Sequence, residues 1–372
     1  MRWLLVNTDY PEFLRRAYAA QPGLAHATYD EQWQARVATL FGVADFYSTH
    51  LRELGHEAWD VIANCEPMQK QWARERGLGC GRETTWRLGL RRGVVPWLSR
   101  EPNRNWLYEI LEAQLRKYRP DVFYSMALET LGSDFIRRAK QYCRLTIGQH
   151  AAPHPPHDVS AYDLMLSSLP NLVDHYRQQG MRSEYFRLAF EPRVLERVPQ
   201  NGRRFDVVFV GGLGGPHERG TQMLEELCRR HAVRVWGYGR ERLSADSPLR
   251  AVCQSPVWGL EMYNVLRAAR IVFNRHIDIA GGYANNMRLY ETTGVGTLLL
   301  TDRKDNLGEL FEPGREVAVY GDAAECVALA THYLEHDDER EAVARAGQAR
   351  TLREHTWGQR MRELTETVKK YV

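Results

Sequence analysis

The sequence of 372 residues predicts an α/β protein made of two doubly wound domains that face each other across a cleft. Short apolar runs alternate with amphipathic segments in the first half of the chain. The same alternation restarts after a polar, proline-containing segment at residues 190–204, which we interpret as a linker. Residues 323–372 have a helical pattern with a break near His355. Ligands of such sheets bind at the carboxyl ends of the strands, so the cleft is the expected site.

The first domain is predicted from apolar runs that are too short for helices and from helical patterns between them. One of these helices is closed by Gly180, because glycine is favoured just past a helix end. The predicted strands are 3–7, 58–63, Val122–Ser125, 145–148, Leu164–Ser167 and 185–188, and the predicted helices are 43–54, 105–119, 134–142 and 171–179.

The second domain repeats the pattern. Its predicted strands are 205–210, 233–236, 271–274, 297–300 and 316–320, and its predicted helices include 221–231 and 260–268. A further short helix is expected near residues 286–294, between the third and fourth of these strands.

Composition excludes several classes of protein. A net charge of +3 does not by itself indicate a nucleic-acid partner. The six cysteines are scattered, without a CxxC pair, and the thirteen histidines include no HExxH motif, so we expect neither a disulfide framework nor a metal site. There is no apolar run long enough to span a membrane, and the first residues predict a strand rather than a signal peptide. A reducing cytoplasm is the expected compartment.

The most specific motif runs from Asn285 and Asn286 through Arg288 and Glu291 to Gly296, ahead of an apolar run. A polar turn enters a short helix here, and a helix N-terminus presents free N–H groups and a positive dipole end to a phosphate. Glu291, about one turn into the helix, can accept hydrogen bonds from sugar hydroxyls. Arg288 is three residues before Glu291, and a surface ion pair between them is the simpler alternative.

A glycine cluster, 211–215, follows a predicted strand and precedes a helix, which is the context of a phosphate loop. It matches neither a P-loop nor a dinucleotide fingerprint, and Gly237 stands where an acid would hold a nicotinamide ribose. We therefore expect Gly212 to let backbone approach a ligand, with His217 or Arg219 reaching its anionic groups. A plain flexible turn is the alternative.

Two further candidates follow strands of the first domain. His150 comes after strand 145–148 and could donate to a sugar hydroxyl or stabilise developing charge, although a structural histidine is equally compatible. Asp9 and Glu12 follow the first strand and could orient an acceptor, or simply form a turn.

Residues 82–104 interleave arginines with tryptophans. This segment could contact an anionic membrane surface or a charged acceptor, but we favour a solvated helix face and loop. The arginines are Arg82, Arg87, Arg91, Arg92, Arg100 and Arg104, and the tryptophans are Trp86 and Trp97.

The segments 286–302 and 310–316, with the ending around His355, Thr356 and Trp357, resemble the group-1 glycosyltransferases, and within them the CgeB-like, spore-maturation type. The resemblance implies a GT-B fold, with an acceptor-side domain at 1–195, a nucleotide-sugar donor domain at 196–354, and a last helix at 355–372 that packs back on the first domain. It also implies a nucleoside-diphosphate sugar donor, no metal, no further cofactor and retention of anomeric configuration.

Carried over by position, Glu291 matches the second acid of the family's spaced pair, which holds the donor ribose. Gly282, Tyr283, Asn285 and Asn286 belong to a turn that matches the loop facing the diphosphate. In the same comparison, Gly212 and Arg219 match positions near the phosphates, and His150 matches a histidine near the transferred sugar. Arg219 and Arg288 would stabilise the leaving diphosphate.

One position departs from the family. The first acid should lie eight residues before Glu291, where this chain has Tyr283, so either recognition of the donor sugar differs or Asp278 takes part. We expect a hexosyltransferase whose acceptor is a glycan, a lipid-linked compound, a small molecule or a protein. A peripheral contact of the protein with the inner membrane face is a further alternative. A nucleotide-sugar epimerase and a non-catalytic nucleotide-sugar binder are the alternatives.

Overall fold

The computed structural model describes residues 1–80, 84–91, 95–103, 105–200, 202–284 and 286–372. The first domain contains a parallel six-stranded sheet in the order β2-β1-β5-β6-β7-β8, and β3 pairs only with β4, in an antiparallel hairpin. The strands are β1 (Arg2–Asn7), β2 (Glu57–Ile62), β3 (Thr84–Arg91), β4 (Val95–Pro102), β5 (Val122–Ser125), β6 (Leu145–Gln149), β7 (Leu164–Ser167) and β8 (Ser183–Tyr185). The helices are α1 (Pro11–Ala20), α2 (Tyr29–Val37), α3 (Phe46–Glu53), α4 (Glu66–Glu75), α5 (Trp106–Tyr118), α6 (Ser133–Ala139), α7 (Pro170–Gln178) and α8 (Val194–Arg197).

The second domain contains another parallel six-stranded sheet, in the order β11-β10-β9-β12-β13-β14. Its strands are β9 (Phe205–Gly212), β10 (Val233–Tyr238), β11 (Cys253–Gln254), β12 (Ala269–Asn274), β13 (Leu298–Asp302) and β14 (Ala318–Tyr320). Its helices are α9 (Glu218–Arg230), α10 (Leu249–Val252), α11 (Gly259–Arg267), α12 (Met287–Gly294), α13 (Leu307–Leu310), α14 (Ala323–Glu335), α15 (Asp337–Glu354) and α16 (Trp357–Val368).

Both sheets are buried on both faces, which is why their strands are nearly continuous apolar runs. In β1, Trp3 and Leu5 join one apolar cluster, whereas Leu4 and Val6 join another on the opposite face. The first cluster also contains residues of the second sheet, so a single apolar core joins the two domains.

The last helix, α16, returns to the first domain and packs against α3. Its Trp357 ring lies 4.8 Å from the ring of Tyr47. The crossing is fixed by backbone hydrogen bonds, in which Phe190 N–H donates to the carbonyl of His355 at 2.8 Å and Trp357 N–H donates to the carbonyl of Phe190 at 3.0 Å. This confirms the predicted return of the last helix.

Three expectations differ from the structure. The segment 190–204 is not a simple polar linker, because Phe190, Val194 and Val198 are buried in the shared core, and Asn201 lies outside the described residues. The last strand of the first sheet ends at Tyr185 instead of beginning there. The backbone of the arginine-rich segment forms a β-hairpin rather than a helix face. Of its residues, Arg82, Arg92 and Arg104 lie outside the described ones.

Candidate functional site

The carboxyl end of β9 passes through a narrow space between two aromatic rings. A Cβ added to Gly212 would lie 2.8 Å from carbon atoms of both His217 and Tyr238. The next residues, Gly214 and Gly215, have φ values of +66° and +55°, a conformation that favours glycine. The loop is tied down because Gly214 N–H donates to the hydroxyl of Thr221 at 2.9 Å. The predicted loop is therefore held in place, and its four glycines add no side chain of their own between the backbone and a ligand.

Basic side chains from two other loops lie beside these glycines and the helix that follows them. Arg242, from the loop after β10, lies across them, since a Cβ on Gly215 would be 3.1 Å from its Nη1. Arg275, after β12, packs against the first turn of α9 and pairs with Asp278 at 3.3 Å. Burial, and then the charges of Arg242 and Arg275, lower the pKa of His217. Two arginines and one carboxylate, Asp278, therefore act on this histidine.

Arg219 is exposed at the start of α9 and lines a cavity of about 390 Å³ together with Arg275 and Arg303. It therefore lies at the same edge of the sheet as the glycine loop. Its predicted contact with phosphate stays a prediction.

Helix α12 begins as predicted. Asn286 is its N-cap, and its side-chain oxygen accepts from Leu289 N–H at 3.2 Å. The amide of Asn286 donates to Asn274 Oδ1 at 2.8 Å, and the amide of Asn274 donates to the hydroxyl of Thr301 at 2.9 Å. Side chains at the ends of β12 and β13 thus fix the start of the helix. Asn285 lies outside the described residues.

Glu291 is buried and faces Arg288. Arg288 Nη1 donates to Glu291 Oε2 at 2.7 Å, and Arg288 Nη2 donates to the carbonyl of Val210 at 3.2 Å. Burial raises the pKa of Glu291, and Arg288 partly opposes this effect. The arginine therefore holds the carboxylate in place, and the pair is not the exposed surface ion pair that we considered as the alternative.

The turn before α12 is held from the other side by the loop after β13. Asp305 N–H donates to the carbonyl of Gly282 at 2.7 Å, and a Cβ on Gly282 would lie 2.2 Å from Asp305 Oδ2. Tyr283 packs against an apolar cluster of the first domain and lines a cavity with Pro170 and Tyr185. Tyr283 therefore lies at the domain junction. Asp278 is paired with Arg275.

A cavity of about 940 Å³ lies at this edge of the second sheet. Its walls come from the ends of β10 and β11, including Tyr238, Arg242 and Pro256, and from Arg16 of the first domain. Arg16 donates to the carbonyl of Pro256 at 2.6 Å, and its guanidinium lies 5.1 Å from the ring centre of Trp258. The cavity is large enough for a nucleoside and is next to the glycine loop.

On the first domain, His150 follows β6 as predicted and is buried. Its Nδ1 is 2.8 Å from the hydroxyl of Tyr176, on α7. Burial lowers the pKa of His150 to about 4, against a smaller opposite effect from the backbone of Pro153, and burial raises the pKa of Tyr176 to about 12. Both groups are neutral near pH 7, so His150 is suited to hydrogen bonding rather than to holding a charge.

Two residues after β1 differ in role. Asp9 and Arg36 are both buried and form a two-point ion pair, at 2.8 and 2.6 Å, so Asp9 holds α2 and is not available to an acceptor. Tyr10, by contrast, is 60% exposed. Partial loss of hydration, together with Tyr238, Glu291 and Glu129, raises the pKa of Tyr10. The contact of Arg16, in the helix after β1, with Pro256, after β11, brings the carboxyl edges of the two sheets to face each other across one cleft.

Within the described ranges, no group of three or more His, Cys, Asp or Glu side chains is arranged to hold a metal ion. In the same ranges, every helix is too short or too polar to cross a lipid bilayer.

Sequence reasoning missed Arg242, Arg275 and Tyr176. They contact the glycine loop, the start of α9 and His150 from distant parts of the chain. A pattern of neighbouring residues gives no signal for such contacts. Arginine far outnumbers lysine among the 50 basic residues of the chain, but this excess does not identify positions.

The chain is similar to several known proteins. Residues 219–366 match the family model described as "Glycosyl transferase-like". Similar solved structures include HepE of Anabaena in complex with UDP-glucose (11% identity, TM-score 0.57, all of both chains covered). They also include a sucrose-phosphate synthase from Thermosynechococcus elongatus (10% identity, TM-score 0.56, 100% of this chain and 98% of that chain). A third is a glycosyltransferase involved in avilamycin A biosynthesis (16% identity, TM-score 0.53, 100% of this chain and 98% of that chain). No curated protein sequence matches the chain. The likeness over the whole chain confirms the predicted GT-B fold.

Proposed function

We propose that this protein is a glycosyltransferase that moves a sugar from a nucleoside-diphosphate sugar to an acceptor hydroxyl. The observation that supports this best is a convergence of three features at one edge of the second sheet: the open glycine loop, the basic side chains around it and the buried Glu291 on α12. The family match of residues 219–366 and the UDP-glucose held by the HepE structure support the same reading.

The diphosphate is expected to lie between the glycine loop and the N-terminus of α12. In the reaction, the bond from the anomeric carbon to the phosphate oxygen breaks and its electrons leave with the diphosphate. The acceptor oxygen bonds to the anomeric carbon, and its proton passes to the leaving diphosphate. Charge that develops on the diphosphate is stabilised by Arg219, by other basic side chains and by backbone N–H groups of helix starts. Metal independence is proposed on the ground that these cationic groups can supply that charge.

Glu291 is proposed to accept hydrogen bonds from the donor ribose, with Arg288 keeping its carboxylate ionised and oriented. The base would occupy the cavity of about 940 Å³ beside Tyr238. His150, with Tyr176 on Nδ1, is proposed to place Nε2 near the transferred sugar.

Three finer assignments rest on the resemblance of segments 286–302 and 310–316 to the group-1 glycosyltransferases. These assignments are a hexose as the transferred sugar, retention of anomeric configuration and membership of the CgeB-like branch. A cytoplasmic location with contact to the inner membrane face is part of the same proposal. Tyr283 at the position of the family's first acid is expected to alter which sugar hydroxyls are recognised.

The test is turnover of a panel of nucleoside-diphosphate sugars, followed by release of nucleoside diphosphate. Release from one donor that increases when a glycan or lipid-linked acceptor is added, and that falls by at least tenfold in Glu291→Ala, would support transfer. NMR of the product would then give the anomeric configuration. Conversion of the donor to an epimer without acceptor would instead indicate an epimerase. Binding of nucleoside diphosphate without any turnover would indicate a binding protein.

A further inference from the structure

The glycine loop has no basic residue of its own, because 211–215 contains four glycines and a leucine. A leaving diphosphate nevertheless needs nearby positive charge, since backbone N–H groups supply only partial charges. The charge must therefore come from side chains outside the loop.

Arg242 meets this requirement by position. A Cβ on Gly214 would lie 2.9 Å from Arg242 Cβ, and a Cβ on Gly215 would lie 3.1 Å from Arg242 Nη1. The arginine thus runs along the glycine backbone, and any larger residue at these two positions would displace it. Its side chain is 53% exposed and its nearest carboxylate, Glu241, is 3.6 Å away, so the guanidinium remains accessible to a ligand.

Arg275 lies against the start of α9, the helix that follows the glycine loop. A Cβ on Gly220 would lie 3.4 Å from Arg275 Cδ, which places the side chain against the first turn of α9. It is 16% exposed and has one partner at 3.3 Å, the largely exposed Asp278. His217 lies close enough to both arginines for their charges to act on it.

Arg288, by contrast, already has partners. Its guanidinium contacts Glu291, the carbonyl of Val210 and the sulfur of Met262, at 2.7, 3.2 and 3.1 Å. Moving it to a phosphate would leave Glu291 as a buried carboxylate without its cation, which is costly.

We propose that Arg242 and Arg275 form a two-arginine clamp on the diphosphate of the donor, one along the glycine loop and one at the start of the helix that follows it. The clamp rests on the proposed function of this site and names the residues that neutralise the leaving group. Arg288 then acts through Glu291 as a positioning residue.

The experiment compares the affinity of a nucleoside diphosphate with that of its nucleoside by titration calorimetry. UDP, GDP and ADP are tested on the wild-type protein, and the tightest is used with Arg242→Ala, Arg275→Ala and Arg242→Lys. Arg230→Ala is the matched control, because Arg230 is an exposed arginine at the opposite end of α9. Thermal melting checks that each variant is folded. Because Arg242 is exposed, its replacement should not affect folding, and Arg242→Ala therefore tests the clamp even if Arg275→Ala does not fold.

The clamp predicts that Arg242→Ala and Arg275→Ala each weaken diphosphate binding by tenfold or more and change nucleoside binding by less than twofold. Arg242→Lys should lose part of the affinity, since lysine keeps the charge but not the planar fork, and Arg230→Ala should lose none. Diphosphate affinity that is unchanged in folded Arg242→Ala would overturn the clamp while leaving the proposed function intact. A wild-type protein that binds no nucleoside diphosphate would overturn the proposed function itself.

Discussion

At the scale of single residues, the site depends on side chains that hold other side chains. Arg288 orients Glu291, Tyr176 orients His150, and Asn274 orients Asn286. Glu291, His150 and Asn286 were candidates from the sequence. Tyr176 and Asn274 were identified only from the structure. A hydrogen bond between residues 26 positions apart, such as that between Tyr176 and His150, leaves no local pattern in a sequence.

The pair of Arg288 and Glu291 predicts non-additive substitutions. Glu291→Ala should weaken nucleoside binding by roughly tenfold or more, because hydrogen bonds to charged groups contribute about 1.5–3 kcal/mol. Arg288→Ala should weaken it less, and should have little further effect once Glu291 is absent, as a double-mutant cycle would measure. Additive losses would instead indicate that Arg288 contacts the ligand directly.

Tyr176→Phe tests the orientation of His150. Without the hydroxyl, Nδ1 loses its partner at 2.8 Å and the ring is no longer held. We expect donor turnover to fall by about tenfold, equivalent to about 1.4 kcal/mol of transition-state stabilisation, with little change in the Kd of the nucleoside diphosphate. Tyr162→Phe is the control, because the hydroxyl of that buried tyrosine donates to the carbonyl of Leu131 in the same domain. Equal losses in the two variants would show a purely structural effect.

Gly212→Ala tests the glycine loop. The added methyl group would meet His217 and Tyr238 at 2.8 Å and displace ring atoms at the edge of the cleft. The fold should persist, while affinity for nucleoside diphosphate should fall by roughly tenfold or more, or about 1.4 kcal/mol. Gly308→Ala is the matched control, because a Cβ there has no neighbour within 4 Å. Wild-type affinity in Gly212→Ala would exclude a ligand close to this backbone.

At the scale of helices and strands, most elements were predictable where burial produces a continuous apolar run. The predicted bounds of Val122–Ser125 and Leu164–Ser167 match the structure because these strands are buried on both faces. The edge strand β8 was predicted a few residues too late in the chain, because only one of its three residues is buried. Helices α1, α2 and α4 were missed, and α2 is held by the buried pair of Asp9 and Arg36, a contact between distant residues.

His50, in helix α3, makes a pH-dependent contact with Glu191, in the segment that joins the domains. Both ring nitrogens of His50 face carboxylates, Glu53 at 2.7 Å and the buried Glu191 at 2.9 Å. Glu191 also pairs with Arg193, which reaches Asp45 at 2.9 Å. Burial lowers the pKa of His50, but the hydrogen bonds and charges of the two glutamates outweigh it, and the net pKa is raised.

A raised pKa in the folded state means that protonation of His50 stabilises the fold. This contribution is fully present below the unfolded value of about 6.5 and is lost as pH rises through the higher folded value. The Tm difference between wild type and His50→Gln should therefore be larger at pH 5.5 than at pH 8.5, by an amount that corresponds to roughly 1–2 kcal/mol. His332→Gln, which removes an exposed histidine paired with Glu339, should show no such change. A difference that is constant with pH would contradict the assignment.

At the scale of the whole molecule, the cleft depends on a direct backbone contact between the domains. Leu260 N–H donates to the carbonyl of Thr39 at 2.8 Å. Gly259, just before it, has a φ of +53°, and a Cβ there would lie 2.1 Å from the same carbonyl oxygen. The ring of Trp258 packs 6.1 Å from that of Phe13. The sequence indicated two domains and a cleft, but it gave no signal for this junction.

Gly259→Ala should open the junction. We expect a larger radius of gyration by small-angle scattering and lower donor turnover, because the added methyl group separates Thr39 from Leu260. Gly180→Ala is the control for backbone strain, since Gly180 has a φ of +78° and a Cβ there has no neighbour within 4 Å. A variant with wild-type dimensions and turnover would show that the contact is not needed for the cleft.

The central claim is that one cleft holds a nucleoside diphosphate with its phosphates at the glycine loop and its ribose at Glu291. The most direct measurement is a crystal structure of the protein with the nucleoside diphosphate that binds it most tightly. We predict the diphosphate beside Gly214 and Gly215, within hydrogen-bond reach of Arg242 and Arg275, and a ribose hydroxyl on the carboxylate of Glu291. A ligand bound elsewhere, or one that leaves Glu291 without a ribose contact, would contradict the account.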